Sequence, residues 1–323
     1  MNNAKKTAVI TACIMTGLGV LIFISVMIGI NFDFTKLSTV KTERITYTIE
    51  EDFDSIHIDC MESDVKFVKS DSDECVVECV QEEHVSHEAA VKDGTLNISR
   101  IDEREGHKYF MIMFNFEKTG ITVHLPEDEY EKLWVKTLSG DVAVPEGFTF
   151  TDAEVYCTSG DIVFLADVHA NLTAESVSGD FRMMNPDAEN ISVKSTSGDV
   201  EISSVKAKDK LNIETVSGDM DLTNAETGIL SASSTSGDMD FSDVIAESDF
   251  HAQTTSGDIE VNKCDGSYLY LKSTSGDVSG TLLSDKMFSV HTTSGNVNVP
   301  DDRGSEKCEI ITTSGNVKIR IDY

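Results

Sequence analysis

The chain has 323 residues, with 57 acidic against 26 basic side chains and a formal net charge of −31. That surplus excludes nucleic acid as a natural partner, because phosphate binding needs Lys and Arg massed on one face. Hydrophobic residues make up 40% of the chain, enough for a packed core, which excludes wholesale disorder.

Residues 8–30 are 23 positions without a charge. As a helix they span about 35 Å, against a hydrocarbon core of about 30 Å. Lys5 and Lys6 precede them and Asp33 follows. The positive-inside rule then keeps the N-terminus in the cytoplasm and puts everything after Asn31 outside. A cleaved signal peptide would have a shorter apolar run and a small-residue cleavage site, and the segment has neither. Ile10, Thr11, Ala12 and Cys13 imitate a lipoprotein box, but the apolar run continues well beyond them. Residues 1–30 are therefore read as a cytoplasmic tip and transmembrane anchor, and residues 31–40 as a short stalk.

Residues 41–130 carry 23 acidic and 9 basic side chains, and residues 131–323 carry 33 and 14, so no charge step divides them. In the first of these segments, strands are predicted at Glu74–Val80, Thr95–Arg100, Tyr109–Phe116 and Ile121–Leu125. The stretch from Ile56 to Phe67 fits, without a gap, the repeat that dominates the rest of the chain. Glu62-Ser63-Asp64 stands there for Ser-Gly-Asp, and Cys60 takes the place of a hydroxyl. Residues 41–130 thus read as a β-rich start that covers the N-terminal end of a stack, as terminal repeats must.

From residue 131 to 323 the tripeptide Ser-Gly-Asp, or Ser-Gly-Asn, begins at Ser139, Ser159, Ser178, Ser197, Ser217, Ser236, Ser256, Ser275, Ser294 and Ser314, at spacings of 19 or 20. Four and six residues before each Ser stand apolar or small residues such as Val193 and Ile191. Three and five after it stand others, such as Val200 and Ile202, the one exception being Gly280. This is period-2 alternation on both sides of a corner, the pattern of strands with one buried face. A unit this small buries its apolar face only against its neighbours. The fold predicted is all-β: a parallel β-solenoid with one coil of about 20 residues per repeat, behind one transmembrane helix. A propeller is the runner-up, but its blades need about twice this period.

Two residues before each Ser lies a third register: Thr137, Cys157, Ser176, Ser195, Thr215, Ser234, Thr254, Ser273, Thr292 and Thr312. Alternation turns these inward, where hydroxyls can bond one another or the corner backbone. The corner Gly is expected to supply φ > 0. The Asp after it is expected to accept from nearby backbone N–H groups, as in an Asx-turn. The competing reading is a column of carboxylates that binds Ca²⁺. A calcium β-roll, however, repeats every nine residues with a different Gly pattern, and Asn296 and Asn316 replace the last two Asp. A second acidic column, Glu201, Asp221, Asp240 and Glu260, is predicted to face outward beside Asp199, Asp219, Asp238 and Asp258. Weak divalent-cation association is expected along that strip. The last coil is expected to be an open edge guarded by Lys318, Arg320 and Asp322.

Other chemistry is sparse. Cys157, Cys264 and Cys308 read as buried packing residues. Cys75 and Cys79 lie about 13 Å apart along one strand, too far to bridge each other, though either could reach Cys60. The stretch Glu82 to Glu88, with His84 and His87, reads as a solvated loop, with a divalent metal site as the alternative. No Walker loop, nucleophile elbow or HExxH motif occurs. His169, His251 and His291 have no fixed relation to one serine. No catalytic, cofactor-binding or metal residue is therefore assigned, and the chain is read as a non-enzyme.

At its Ser-Gly-Asp-Val repeats the chain resembles the putative-adhesin β-strand-repeat family of bacterial envelope proteins, which includes LiaG-like proteins and is a domain of unknown function. The likeness runs over about residues 45–321. It rests on the repeated Thr-Ser-Gly-Asp-Val phrase, on Phe53-Asp54-Ser55-Ile56, and on the lead-in from Ile121 to Pro126. It implies a binding or structural module on the membrane, facing an envelope protein or a cell-surface ligand. An accessory role in envelope-stress sensing is the alternative, and a polysaccharide hydrolase is a more distant one.

Overall fold

The computed structural model describes residues 3–33, 42–82, 84–103, 119–301 and 303–322. Most of the predicted stalk and the predicted strand Tyr109–Phe116 lie outside the described residues. One α-helix, Asn3–Gly29, opens the chain. Its span Thr11–Gly29 is long and apolar enough to cross a membrane. Two of its hydroxyls are satisfied within the helix: Thr16 donates to the Ala12 carbonyl at 2.9 Å and Ser25 to the Leu21 carbonyl at 2.8 Å.

The repeats form the predicted parallel β-solenoid, and each coil has three sides. On the first side Leu133, Ala153, Leu172, Ile191, Leu211, Leu230, Phe250 and Leu269 stack in register. On the second, after the Ser-Gly-Asp corner, Val142, Ile162, Phe181, Val200, Met220, Met239, Ile259 and Val278 do the same. All of these are buried. The third side is lined by small residues, with Ala188, Ala207, Thr227, Ala246 and Gly266 in register. The chain turns from the second side to the third at Asn185, Ser204, Asn224, Asp243 and Lys263, whose φ values lie between 53° and 65°. It turns from the third side back to the first at register shifts such as Ala207/Lys210 and Thr227/Leu230.

The Ser-Gly-Asp corner differs from expectation. Positive φ occurs at Gly94, Gly147 and Gly280 among the described glycines, and at none of the corner glycines. What the corner demands is the absence of a side chain. A Cβ on Gly160, Gly179, Gly198 or Gly218 would lie 1.8–2.1 Å from the carbonyl oxygen of the glycine one coil below. The corners thus stack backbone on backbone. Beneath them the inward hydroxyls hold the turn. The side chains of Thr137, Ser176, Ser195, Ser234, Thr254, Ser273 and Thr312 accept from the glycine N–H three residues on, at 2.8–3.2 Å. Cys157 does so with its sulfur at 2.9 Å. Several also donate to the glycine carbonyl of an adjacent coil, as Ser273 does to Gly257 at 2.8 Å.

Both ends of the stack depart from chain order. The strand Ser55–Asp59 lies between Thr95–Asp102 and Glu129–Thr137, so the early coil read at Ile56–Phe67 is a true member of the stack. Antiparallel strands close that end: Thr42–Ile49 on Cys75–Glu82, Cys75–Glu82 on Gly120–Leu125, and Val85–Lys92 on Thr95–Asp102. At the other end, Ile259–Ser273 pairs with Glu306–Thr312 rather than with Lys286–Thr292. The last repeat in sequence is threaded between its two predecessors. Lys318 and Arg320 therefore sit in a strand paired on one side with Val278–Leu282 and on the other with Val297–Asn298, and guard no edge. The terminal coil in space is 286–298. Repeats that share one register can exchange neighbours without misaligning a side chain, so periodicity does not fix their order.

Lys286 fastens this exchange. Its side chain is fully buried, pairs with Asp265 and Glu306, and donates to the Gly266 carbonyl at 2.8 Å. Glu306 belongs to the threaded coil and Asp265 to the coil beneath it. The three charges meet because the last repeat lies between the other two.

Candidate functional site

The corner Asp residues form a ladder along one edge. The N–H of Asp161 donates to Asp141 Oδ1, that of Asp180 to Asp161, and so on through Asp277, at 2.7–3.0 Å. Asp64 starts the column, accepting from Asp141 at 3.0 Å, and Asn316 and Asn296 end it. The acceptor thus serves the next coil rather than its own turn, which corrects the Asx-turn reading. Carboxylates about 4.8 Å apart repel by roughly 1 kcal/mol per pair in water. A hydrogen bond to a charged group contributes about 1.5–3 kcal/mol. The ladder offsets its own repulsion, and no cation is needed to hold it. Among the described residues no group of three or more His, Cys, Asp or Glu side chains is placed to hold a metal ion.

Beside the ladder runs the second column, exposed as predicted: Glu201, Asp221, Asp240 and Glu260 stack in register. A cation closes each end. Arg182 lies below and pairs with Glu201 at 2.8 Å, and Lys318 lies above, in register with Ser279. Five ladder carboxylates, Asp199 to Asp277, and the four of the second column thus face solvent between Arg182 and Lys318. A groove of about 570 Å³ lies among Asp238, Asp240, Asp258, Glu260 and Asp277. The Asp240 carboxyl is held above its ordinary pKa, first by partial burial and then by the charges of Glu260, Asp221, Asp238 and Asp219. This arrangement can attract cationic groups by its field.

The other candidates are not gathered into a site. Glu82 pairs with Val85 across a hairpin, so Glu82 and residues 84–88 are strand and turn rather than a solvated loop. His87 is buried with Nε2 3.2 Å from Ser63 Oγ, and burial, with a smaller push from Arg100, lowers its pKa to about 4. His84 lies in the turn. Cys60, Cys75, Cys79, Cys157, Cys264 and Cys308 are buried free thiols, so Cys60 bridges neither Cys75 nor Cys79. Burial pushes the thiols of Cys75, Cys79, Cys264 and Cys308 up to about 12. Sequence reading missed the outward aromatic stacks on the first side. His57 lies on Trp134 with ring centroids 4.1 Å apart, and His251 lies 5.5 Å from Tyr270. Their shared register five residues before a corner was the available signal.

The sequence model of the Toastrack DUF4097 family matches residues 53–320. A comparison with curated proteins finds no match. Among solved structures, a putative adhesin from Bacteroides fragilis NCTC 9343 is similar at 16% identity, with 87% of this chain and 97% of that one covered and a TM-score of 0.38. A putative lipid binding protein from Parabacteroides distasonis ATCC 8503 is similar at 16% identity, with coverage of 88% and 98% and a TM-score of 0.44. A putative adhesin from Parabacteroides merdae ATCC 43184 is similar at 12% identity, with coverage of 87% and 96% and a TM-score of 0.25.

Proposed function

The chain belongs to the Toastrack DUF4097 family, and from that premise we propose that it is an adhesin-like binding and structural module of the cell envelope. In this reading the helix Asn3–Gly29 anchors it, the N-terminus is cytoplasmic and the solenoid stands outside. The observation that carries the proposal is the strip of nine carboxylates between Arg182 and Lys318. The ladder Asp residues are explained by the fold. Glu201, Asp221, Asp240 and Glu260 are not, and their crowded charges add to partial burial, the larger cause, in holding Asp240 above its ordinary pKa. Carboxylates kept against their mutual repulsion serve something outside the rod. A cationic segment of an envelope protein or surface ligand is the chemistry such a strip attracts, with divalent ions associating loosely.

The test uses the full chain in detergent, incubated with solubilised envelope fractions beside the triple variant Asp221→Asn, Asp240→Asn, Glu260→Gln. The wild-type chain should retain ligands that elute as salt rises, and the variant should lose them. Retention that is indifferent to both the substitutions and salt would sink the proposal. For the orientation, protease added to intact protoplasts should digest the repeats, and survival of the repeats until lysis would reverse it.

A further inference from the structure

We propose that the free end of the solenoid, the coil 286–298, is a docking face for a second copy of this chain, the two rods meeting end to end. Strand Lys286–Thr292 pairs only with Glu306–Thr312, and Val297–Asn298 only with Val317–Ile321, among the described residues. One backbone edge therefore faces outward. The core is open there as well. Val297 is 47% exposed, whereas Val278 and Val317, at the same register in the coils beneath, are 0% and 1% exposed. Phe288, Val290 and Val299 are only partly buried, whereas Leu269, Leu271, Cys308 and Ile310 are fully buried. The N-terminal end, by contrast, is closed by antiparallel strands. Monomeric proteins protect such edges with charge, bulges or a cap.

The charge pattern selects the occupant. Residues 286–300 contain no Asp or Glu, in a chain of net charge −31. Their one lysine is buried and paired within the fold. The Asp ladder also changes to Asn at its last two rungs, Asn316 and then Asn296. An amide both donates and accepts, so it is complementary to its own copy, whereas a carboxylate repels its copy. Charges farther down each rod are screened beyond about 8 Å at physiological ionic strength. Along residues 286–300 two such acidic rods can therefore touch without opposing carboxylates. A two-fold axis across the rod sets the two Lys286–Thr292 edges antiparallel, so the contact is isologous and closes as a dimer.

The experiment is sedimentation of the full chain in detergent micelles, from 1 to 100 µM. The wild-type protein should dimerise. Val297→Asp and, separately, Asn296→Asp should weaken the dimer at least tenfold, while circular dichroism stays that of the folded solenoid. Ser289→Cys, at the centre of that strand where the two-fold sets the two copies opposite each other, should give a disulfide-linked dimer under mild oxidation. A monomeric wild-type chain at 100 µM overturns the proposal. So does a dimer that survives both charged variants, which would place association in the helix instead.

Discussion

A methyl group on Gly218 would stand 1.9 Å from the carbonyl oxygen of Gly198, and its nearest neighbours are all backbone atoms of Gly198 and Asp199, with nothing flexible to yield. Gly218→Ala must therefore push neighbouring coils apart, at a cost of about 2–4 kcal/mol. Gly218→Asn separates the two accounts of this corner. Were φ positive there, Asn would be well tolerated, but a steric corner makes Asn as damaging as Ala. Denaturant unfolding of both variants distinguishes them. The reverse holds at Asn224, where φ is 54°. Asn224→Gly should be nearly neutral, and Asn224→Val should cost about 1–2 kcal/mol. His87 gives a residue-scale prediction in pH. Its folded pKa, about 4, lies below the ordinary 6.5, so the unfolded chain binds more protons between those values. Its contribution is complete above pH 6.5 and is lost as pH falls toward 4, by about 3 kcal/mol in all. His87→Phe should flatten the stability profile over that window.

At the scale of the strand, the first two sides of each coil were legible because large apolar residues alternate with polar ones about a corner of constant spacing. The third side was not. Its inward residues are small, and the gap from Ile202 to Val205, like that from Ala207 to Leu211, breaks the period of two. The left-handed residues that make the second turn hid for a similar reason. They are Asn, Ser, Asp and Lys, types common on any polar surface, while glycine drew attention to the wrong corner. The exchange of the last two coils left one trace in the sequence, a lysine at 286 where a core-facing position was due. Lys286→Met should cost about 1–3 kcal/mol, less than a fully enclosed ion pair, because Asp265 and Glu306 retain access to water. Hydrogen exchange should then quicken first in Lys286–Thr292 and Glu306–Thr312, since stacked repeats open from their ends. Uniform quickening along the rod would mean that the buried pair does not fasten the end.

At the scale of the molecule, the question is whether the acidic edge binds cations as a field or as a site. Asp240 is the sharpest probe of the field. A carboxyl with a raised folded pKa is destabilised when ionised, so its penalty grows as pH rises through that value. Asp240→Asn should accordingly raise the melting temperature at pH 7, the reverse of what deleting a metal ligand does. Calcium supplies the second measurement. In low salt, millimolar Ca²⁺ should stabilise the rod by screening the columns, and NaCl alone should do the same. At 0.5 M NaCl the screening length falls to about 4 Å, shorter than the spacing between rungs, and the field has little left to relieve. A structural site of micromolar affinity would still contribute about 4 kcal/mol at 1 mM Ca²⁺, whatever the salt. The hydrogen-bonded ladder and the lack of a three-ligand cluster among the described residues favour the field. The expected outcome at 0.5 M NaCl is a calcium-induced rise in melting temperature of no more than about 1 °C. A rise of several degrees under those conditions would make the Asp column a metal site after all.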